Sequence, residues 1–407
     1  MNSPPPKILP YGKPCLGDPE IEAVSETLQT DWITQGPRIA EFEARLCKTL
    51  HAPFAVAVSN ATSALHLALR VAGIGPGDRV VTSPLTFLAS ANAALYVGAI
   101  PDFCDIHPHT LSLDPEKLEA NWKSDTRAVV AVDYAGIPCN IAAIAKVAHR
   151  HGAILIEDAC HGFGGMFHGP NDQPGPYYLG ANPWCDFSTF SFHAVKTITT
   201  GEGGVLFCKD QAAAQRAQRL RSHGVERHNQ NFHTFPNDDP LFEQGPWYYE
   251  MQELGFNYRI TDFQCALGMA QLDRLQHFLQ RRREIVNLYR ENLAGIPLIH
   301  LPQMPKPQDE PLASWHIFPV RIEFDQIKMS RSEIMLTLRS QGIGTQVHYI
   351  PVHLQPYYRK TFGYGPGLCP VAENYYRQTL SLPLYPELTN DQVLWIAKTI
   401  RSLLKEK

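Results

Sequence analysis

The run Phe187-Ser188-Thr189-Phe190-Ser191-Phe192-His193-Ala194-Val195-Lys196 leads into Thr197-Ile198-Thr199-Thr200-Gly201-Glu202-Gly203-Gly204. Its first part is apolar and β-prone, it ends on a lysine, and a glycine-rich turn follows. The pattern reads as a strand delivering Lys196 near its buried end. A lysine stripped of water is disfavoured as ammonium, and its amine becomes a nucleophile able to hold an aldehyde as a Schiff base. Taken alone, such a lysine is more often an exposed one at a strand end. A second run, Ala153-Ile154-Leu155-Ile156-Glu157-Asp158-Ala159-Cys160-His161, is an apolar strand ending in acid. Asp158 there can hold the protonated ring nitrogen of pyridoxal phosphate (PLP), which makes the ring an electron sink. By itself it equally suits a helix N-cap. Together, Asp158 and Lys196 are the pair that a PLP enzyme needs.

Outward from these runs, strands and helices alternate. Helical spacing covers Pro14 to Thr27, breaks over Asp31–Pro37, and resumes from Ile39 to Leu50. Phe54–Val58 reads as a strand that hands over to a helix through Ser59-Asn60-Ala61-Thr62. Free N–H groups at such a helix start can cradle a phosphate, and the hydroxyls suit plain capping equally. Further strands are expected at Asp78–Ser83, Ile100–Ile106, Ala128–Asp133 and Ile154–Ile156, with helices at Pro84–Val97 and Ile141–His151 between them. Near-continuous apolar strands alternating with helices predict a mostly parallel sheet covered on both faces, with ligands at the carboxyl ends of the strands. Gly73-Ile74-Gly75-Pro76-Gly77 follows a helix, so it reads as a helix stop rather than a dinucleotide loop.

His168–Trp184 and His228–Trp247 read as long loops, and Ile260 to about Leu293 as a long helical stretch. Gly295–Pro311 is proline-rich and reads as a linker. Beyond it come a strand at His316–Ile322, a helix at Ser330–Gln341 and a second strand at Gly344–Tyr349. The fold class is therefore α/β, with a large PLP-binding domain over residues 1–275 and a smaller α+β domain over 276–407.

The 407 residues allow a large core, and a formal net charge of -4 carries no basic footprint for nucleic acid. No apolar run reaches the length of a membrane span, and Met1–Lys7 lacks the core of a signal peptide and is expected to be a disordered lead. Nine scattered cysteines without a Cys-x-x-Cys pair fit a reducing cytoplasm, and neither they nor the histidines show metal-ligand spacing. No metal is expected.

Several stretches, in order from Tyr11 to about Leu388, are similar to the DegT/DnrJ/EryC1/StrS sugar aminotransferases. Ser191-Phe192-His193-Ala194-Val195-Lys196 resembles that family's lysine motif, and Gly255-Phe256-Asn257-Tyr258-Arg259 with Ala266-Leu267-Gly268 resembles its second signature. Thr34-Gln35-Gly36, Val132-Asp133-Tyr134-Ala135-Gly136, Arg221-Ser222-His223-Gly224 and Gln346–His353 resemble its branch acting in pseudaminic acid biosynthesis. That branch aminates C4 of a UDP-linked 4-keto-6-deoxy N-acetyl hexose. The resemblance implies the aspartate-aminotransferase-like fold (type I), PLP as cofactor, glutamate as amino donor and a homodimer with shared active sites. Where many relatives have Gly-Thr in the phosphate turn, this chain has Ala61-Thr62.

The resemblance also implies roles. Lys196 would carry the cofactor and move the proton. Asp158 would hold the ring nitrogen, His161 the phenolic oxygen, and Phe87 would stack on the ring. Ala61, Thr62 and Ser191 would hold the phosphate, joined by Asn257 from the partner subunit. Tyr11, Asp31, Trp32, Ile33, Thr34, Gln346, Val347, His348 and Tyr349 would line the sugar-nucleotide pocket, with Arg227 or His348 as cationic partners of its diphosphate. Outside the resemblance, His161 and Phe87 also suit a core, Asn257 a turn and Arg227 a solvated loop. A dTDP- or GDP-linked ketosugar and a non-enzymatic PLP-binding protein are the other readings. Family members that dehydrate have histidine in place of the lysine, and Lys196 argues against that chemistry.

Overall fold

A computed structural model of the chain describes residues 8–228, 231–233 and 245–405. The expected lead at residues 1–7 and much of the expected loop at 228–247 lie outside these. The chain opens with helices α1 (Asp18–Leu28) and α2 (Pro37–Leu50). It then alternates through β1 (Phe54–Val58), α3 (Ala61–Val71), β2 (Arg79–Thr82), α4 (Leu88–Tyr96), β3 (Ile100–Phe103), α5 (Pro115–Ala120), β4 (Thr126–Val132), α6 (Ile141–Arg150) and β5 (Ile154–Asp158). A short pair, β6 (Met166–Phe167) and β7 (Tyr177–Tyr178), precedes β8 (Phe187–Ser191), β9 (Gly204–Cys208) and α7 (Gln211–Arg221). Another pair, β10 (Val225–Glu226) and β11 (Glu250–Met251), leads to α8 (Asp262–Asp273) and α9 (Leu275–Leu293). The remainder is β12 (Ile299–His300), β13 (Phe318–Ile322), α10 (Arg331–Ser340), α11 (Pro356–Phe362), α12 (Pro370–Gln378), β14 (Thr379–Leu382) and α13 (Asn390–Lys405).

The main sheet runs β1-β9-β8-β5-β4-β2-β3, with β9 antiparallel to both neighbours and the other pairings parallel. Its strands are apolar at nearly every position because both faces are covered. Ala128 and Val130 pack with α3 and α4, while Val129 and Ala131 pack with α6 on the other face. The parallel register sets Val132 beside Asp158 and Asp158 beside Thr189. The carboxyl ends of β4, β5 and β8 therefore meet on one edge. The glycines after α3 act as expected: the helix ends at Val71, and Gly73 takes a φ of +77°, the left-handed conformation that stops a helix.

Beyond residue 275 a smaller sheet runs β12-β13-β14, and its strands share one apolar cluster with α9, α10, α12 and α13. Four sequence expectations change. Gly344–Tyr349 is not a strand: Gly344 donates to the Leu9 carbonyl, and only Gln346 bridges Ser381. The ladder beside β13 is made instead by β14, whose Thr379–Leu382 is fully buried. Gly295–Pro311 is more than a linker, because β12 within it pairs with β13. Ile260–Leu293 is two helices, separated at Arg274. In 168–184, expected as a surface loop, Tyr177–Tyr178 pairs with Met166–Phe167 and Leu179 is buried. All nine cysteines are free thiols, and among the described residues no helix is long and apolar enough to cross a membrane.

Candidate active site

The carboxyl edge of the main sheet borders a cleft of about 740 Å³. Twelve of the residues expected at the site line it: Lys196, Asp158, His161, Ala61, Thr62, Phe87, Ser191, Tyr11, Gln346, Val347, His348 and Tyr349. They come from six separate stretches of chain, which the fold brings to one place.

Lys196 lies in the turn after β8, held by its N–H to the His193 carbonyl at 2.9 Å. Its side chain is half-buried and its amine is crowded by protein atoms. Burial pushes the amine below the usual lysine range, and Cys160 and Asp158 partly oppose that shift. The Nζ atom is 3.4 Å from Nε2 of His316. Asp158 ends β5 and is buried. Its Oδ2 accepts from Ser90 Oγ at 2.6 Å, and its Oδ1 accepts from the Cys160 N–H at 3.3 Å. Ser90 in turn contacts Thr86 Oγ1 at 2.7 Å. These hydrogen bonds fix the carboxylate in the cleft wall.

The first turn of a helix leaves N–H groups without partners inside the helix. At the start of α3, Asn60 Oδ1 accepts the Ser63 N–H at 2.9 Å, a cap worth about 1 kcal/mol. The N–H groups of Ala61 and Thr62 remain at the cleft. A side chain on Gly204 would put its Cβ 2.6 Å from the Ala61 nitrogen, so β9 passes directly behind this turn and holds it in place. An anion suits this turn, a protonated ring nitrogen suits Asp158, and an aldehyde suits the depressed amine of Lys196. The residues present fit PLP. Phe87, at the N-cap of α4, is 61% exposed, so its ring is available to cover a planar ligand.

His161 is buried, and Nδ1 accepts the Ala135 N–H at 3.1 Å. The proton of the neutral ring therefore sits on Nε2, which faces the Tyr349 hydroxyl at 3.1 Å. Burial pushes His161 well below the ordinary histidine value, and burial likewise raises Tyr349. His348 contacts Ser381 Oγ through Nδ1 at 2.8 Å. Burial, with Lys196 nearby, lowers it to about 3. Burial thus disfavours a charged His348, which counts against its serving as the cation for a diphosphate.

Asp31, Trp32, Ile33, Thr34, Asn257 and Arg227 do not line this cleft. Trp32 and Ile33 are 57% and 48% exposed, Thr34 bridges Thr261, and Asn257 bridges Ser222. Arg227 lies over the Tyr249 ring at 5.5 Å and borders a second cavity of about 700 Å³ with Arg219, Arg221 and Arg259. Ser90, Thr86, Cys160 and His316 line the main cleft and were missed from sequence. Ser90 sits three residues beyond Phe87, the spacing that places it on the same helix face. His316 carried no local signal, since it is brought here from beyond residue 275.

Comparison with known proteins agrees with this geometry. The DegT/DnrJ/EryC1/StrS aminotransferase family matches residues 14–401. The spore coat polysaccharide biosynthesis protein SpsC of Bacillus subtilis (strain 168) is 39% identical over 399 residues, covering 98% of this chain and 97% of SpsC. Helicobacter pylori PseC, an aminotransferase involved in the biosynthesis of pseudoaminic acid, superposes with a TM-score of 0.86 at 28% identity, over 98% of this chain and 100% of that one. Spr1654 of Streptococcus pneumoniae, solved in its PLP form, does so with a TM-score of 0.84 at 30% identity, over 98% and 99%. With a half-buried lysine and a buried aspartate lining a cleft fitted to PLP, the chain belongs to the DegT/DnrJ/EryC1/StrS aminotransferase family and is a PLP-dependent sugar aminotransferase.

Proposed function

We propose that the protein moves an amino group from glutamate to C4 of a UDP-linked 4-keto-6-deoxy N-acetyl hexose in pseudaminic acid biosynthesis, working as a cytoplasmic homodimer. The observation carrying this reading is the depressed amine of Lys196 facing Asp158's cleft. The full-length likeness to H. pylori PseC supports the substrate. When bound, PLP supplies an aldehyde carbon and an electron-accepting ring. Lys196 would hold the cofactor, and its free amine would serve as the base that takes and returns a proton at the substrate carbon. Asp158 keeps the ring nitrogen protonated. The Ala61 and Thr62 N–H groups and Ser191 would hold the phosphate, and Phe87 would cover the ring and shield it from water.

The residues outside the cleft have a place in the same reading. Arg227 and Arg259 line the second cavity, Asn257 bridges Ser222 of its lining, and Trp32 and Ile33 are exposed. Arg259 Nε is buried without a partner among the described residues. In a homodimer these residues would close the partner's cleft, with Asn257 reaching the cofactor phosphate and the arginines the nucleotide diphosphate. Residues 1–275 and 276–407 would form the two domains flanking each cleft. A second reading, another nucleotide-linked ketosugar, is kept because the identity to SpsC, a spore coat polysaccharide biosynthesis protein, is 39%, against 28% to PseC. Incubating the PLP-loaded protein with glutamate and a panel of UDP-, dTDP- and GDP-ketosugars, with products identified by NMR, decides between them. Amination at C4 of the UDP sugar is the expected result. A product from only the dTDP or GDP sugars, or amination at C3, would replace this reading.

A further inference from the structure

We propose that His316 is a further catalytic residue, whose Nε2 holds the Lys196 amine whenever that amine is not joined to the cofactor. The inference rests on the reading of Lys196 as the reacting amine. His316 has its backbone pinned on both sides. Its N–H donates to the Ala135 carbonyl at 3.0 Å, and its carbonyl accepts from Arg282 Nη1 at 3.1 Å. The same guanidinium nitrogen reaches the carbonyls of Trp315 and Leu384, both at 3.2 Å. Arg282 is fully buried, so this anchor cannot swing away.

The ring itself is 5% exposed and packs on His161 at 4.4 Å between centroids. Its Nδ1 is buried without a hydrogen-bond partner among the described residues. His161 cannot help, since its two nitrogens face Ala135 and Tyr349. Nε2 is therefore the one ring nitrogen of His316 that is satisfied, and Lys196 satisfies it at 3.4 Å. The converse also holds: His316 supplies the side-chain hydrogen bond of the Lys196 amine, because Asp158 is engaged by Ser90 and Cys160. The titratable groups facing the pair are Asp158 and Cys160 from β5 and its end, His161, His348, Tyr349 and Arg282. Burial and the neighbouring cations keep both imidazoles neutral. A carboxylate in this position would lock Lys196 as ammonium. A neutral ring instead gives the amine a direction while leaving its lone pair recoverable.

The test uses the full chain with PLP removed, titrating Lys196 by acetylation with acetic anhydride across pH and reading the label by mass spectrometry. In His316→Leu the ammonium loses its acceptor, and the Lys196 midpoint is expected to fall by about one pH unit. His316→Gln, which keeps an acceptor within reach, is expected to stay near the parent. After reloading PLP, both variants should show the parent's visible band, because the joined amine no longer needs His316. A parent-like midpoint in a folded His316→Leu, or an upward shift, would make the ring a packing and water-excluding group and overturn the proposal. If His316→Leu does not fold, His316→Asn, too short to reach Nζ, takes its place with the same expected fall. Borohydride trapping of the loaded parent tests the underlying reading separately. A label on another lysine would remove Lys196 itself, whatever the His316 variants show.

Discussion

At the scale of single residues, the site depends on burial without charge neutralisation. Lys196 is depressed because its ammonium form loses water, and no described carboxylate pairs with it to restore the balance. Lys196→Ala is expected to fold and bind PLP weakly, with turnover lowered about 10³-fold or more, since one group performs both attachment and proton transfer. Single-turnover assays and borohydride mapping check it, and near-parent turnover would discard the role. A second buried group has a pH consequence. Asp133 and Glu157 are fully buried on the sheet face away from the cleft and contact one another, and burial raises both. The folded pair therefore keeps a proton that the unfolded chain releases above its ordinary carboxylate range. Stability is expected to be greatest below that range and to fall as pH rises toward the raised values, by up to about 1.4 kcal/mol per pH unit for one proton. Glu157→Gln should flatten that slope in denaturant titrations between acidic and neutral pH. An unchanged slope would mean that the pair carries no such proton.

At the scale of elements, the phosphate turn is set by what lies behind it. α3 begins where β1 ends, Asn60 caps it, and β9 crosses so closely that only glycine fits at position 204. Gly204→Ala must displace the backbone of Asn60 and Ala61, both within 2.9 Å of the added carbon. A stability loss of about 1–3 kcal/mol is expected, as for other over-packed positions, together with weaker PLP retention on dialysis. Retention equal to the parent would show that the turn is not where the phosphate sits. The glycine-rich turn after Lys196 thus has two tasks, ending the lysine loop and, at Gly204, leaving room for the start of α3 at Ala61.

At the scale of the whole molecule, no arginine among the described residues lines the cleft, burial disfavours a charged His348, and Arg227 lies elsewhere. The proposed homodimer resolves this by lending the partner's arginine face. Mixing Lys196→Ala and Asn257→Ala proteins under subunit exchange should then restore turnover that neither has at limiting PLP. A mixed dimer contains one cleft with both Lys196 and the opposing Asn257 intact. Absence of recovery in verified mixed dimers would assign Asn257 to its own subunit or to a turn.

The parallel sheet, its strand ends and the meeting of Lys196 and Asp158 in one cleft were legible in the chain, because burial on both faces writes itself as continuous apolar strands and because each motif is local. Gly344–Tyr349 misread as a strand for the opposite reason: its β-prone residues satisfy their hydrogen bonds with Leu9 and Ser381, partners that no window of sequence contains. The buried β14, the burial that disfavours a charged His348 and the approach of His316 to Lys196 are likewise products of packing. Sequence alone determined which chemistry the chain could carry. Only the tertiary structure decided which side chains share the cleft and in what charge state, because desolvation and hydrogen bonding at a site are summed over every segment that reaches it.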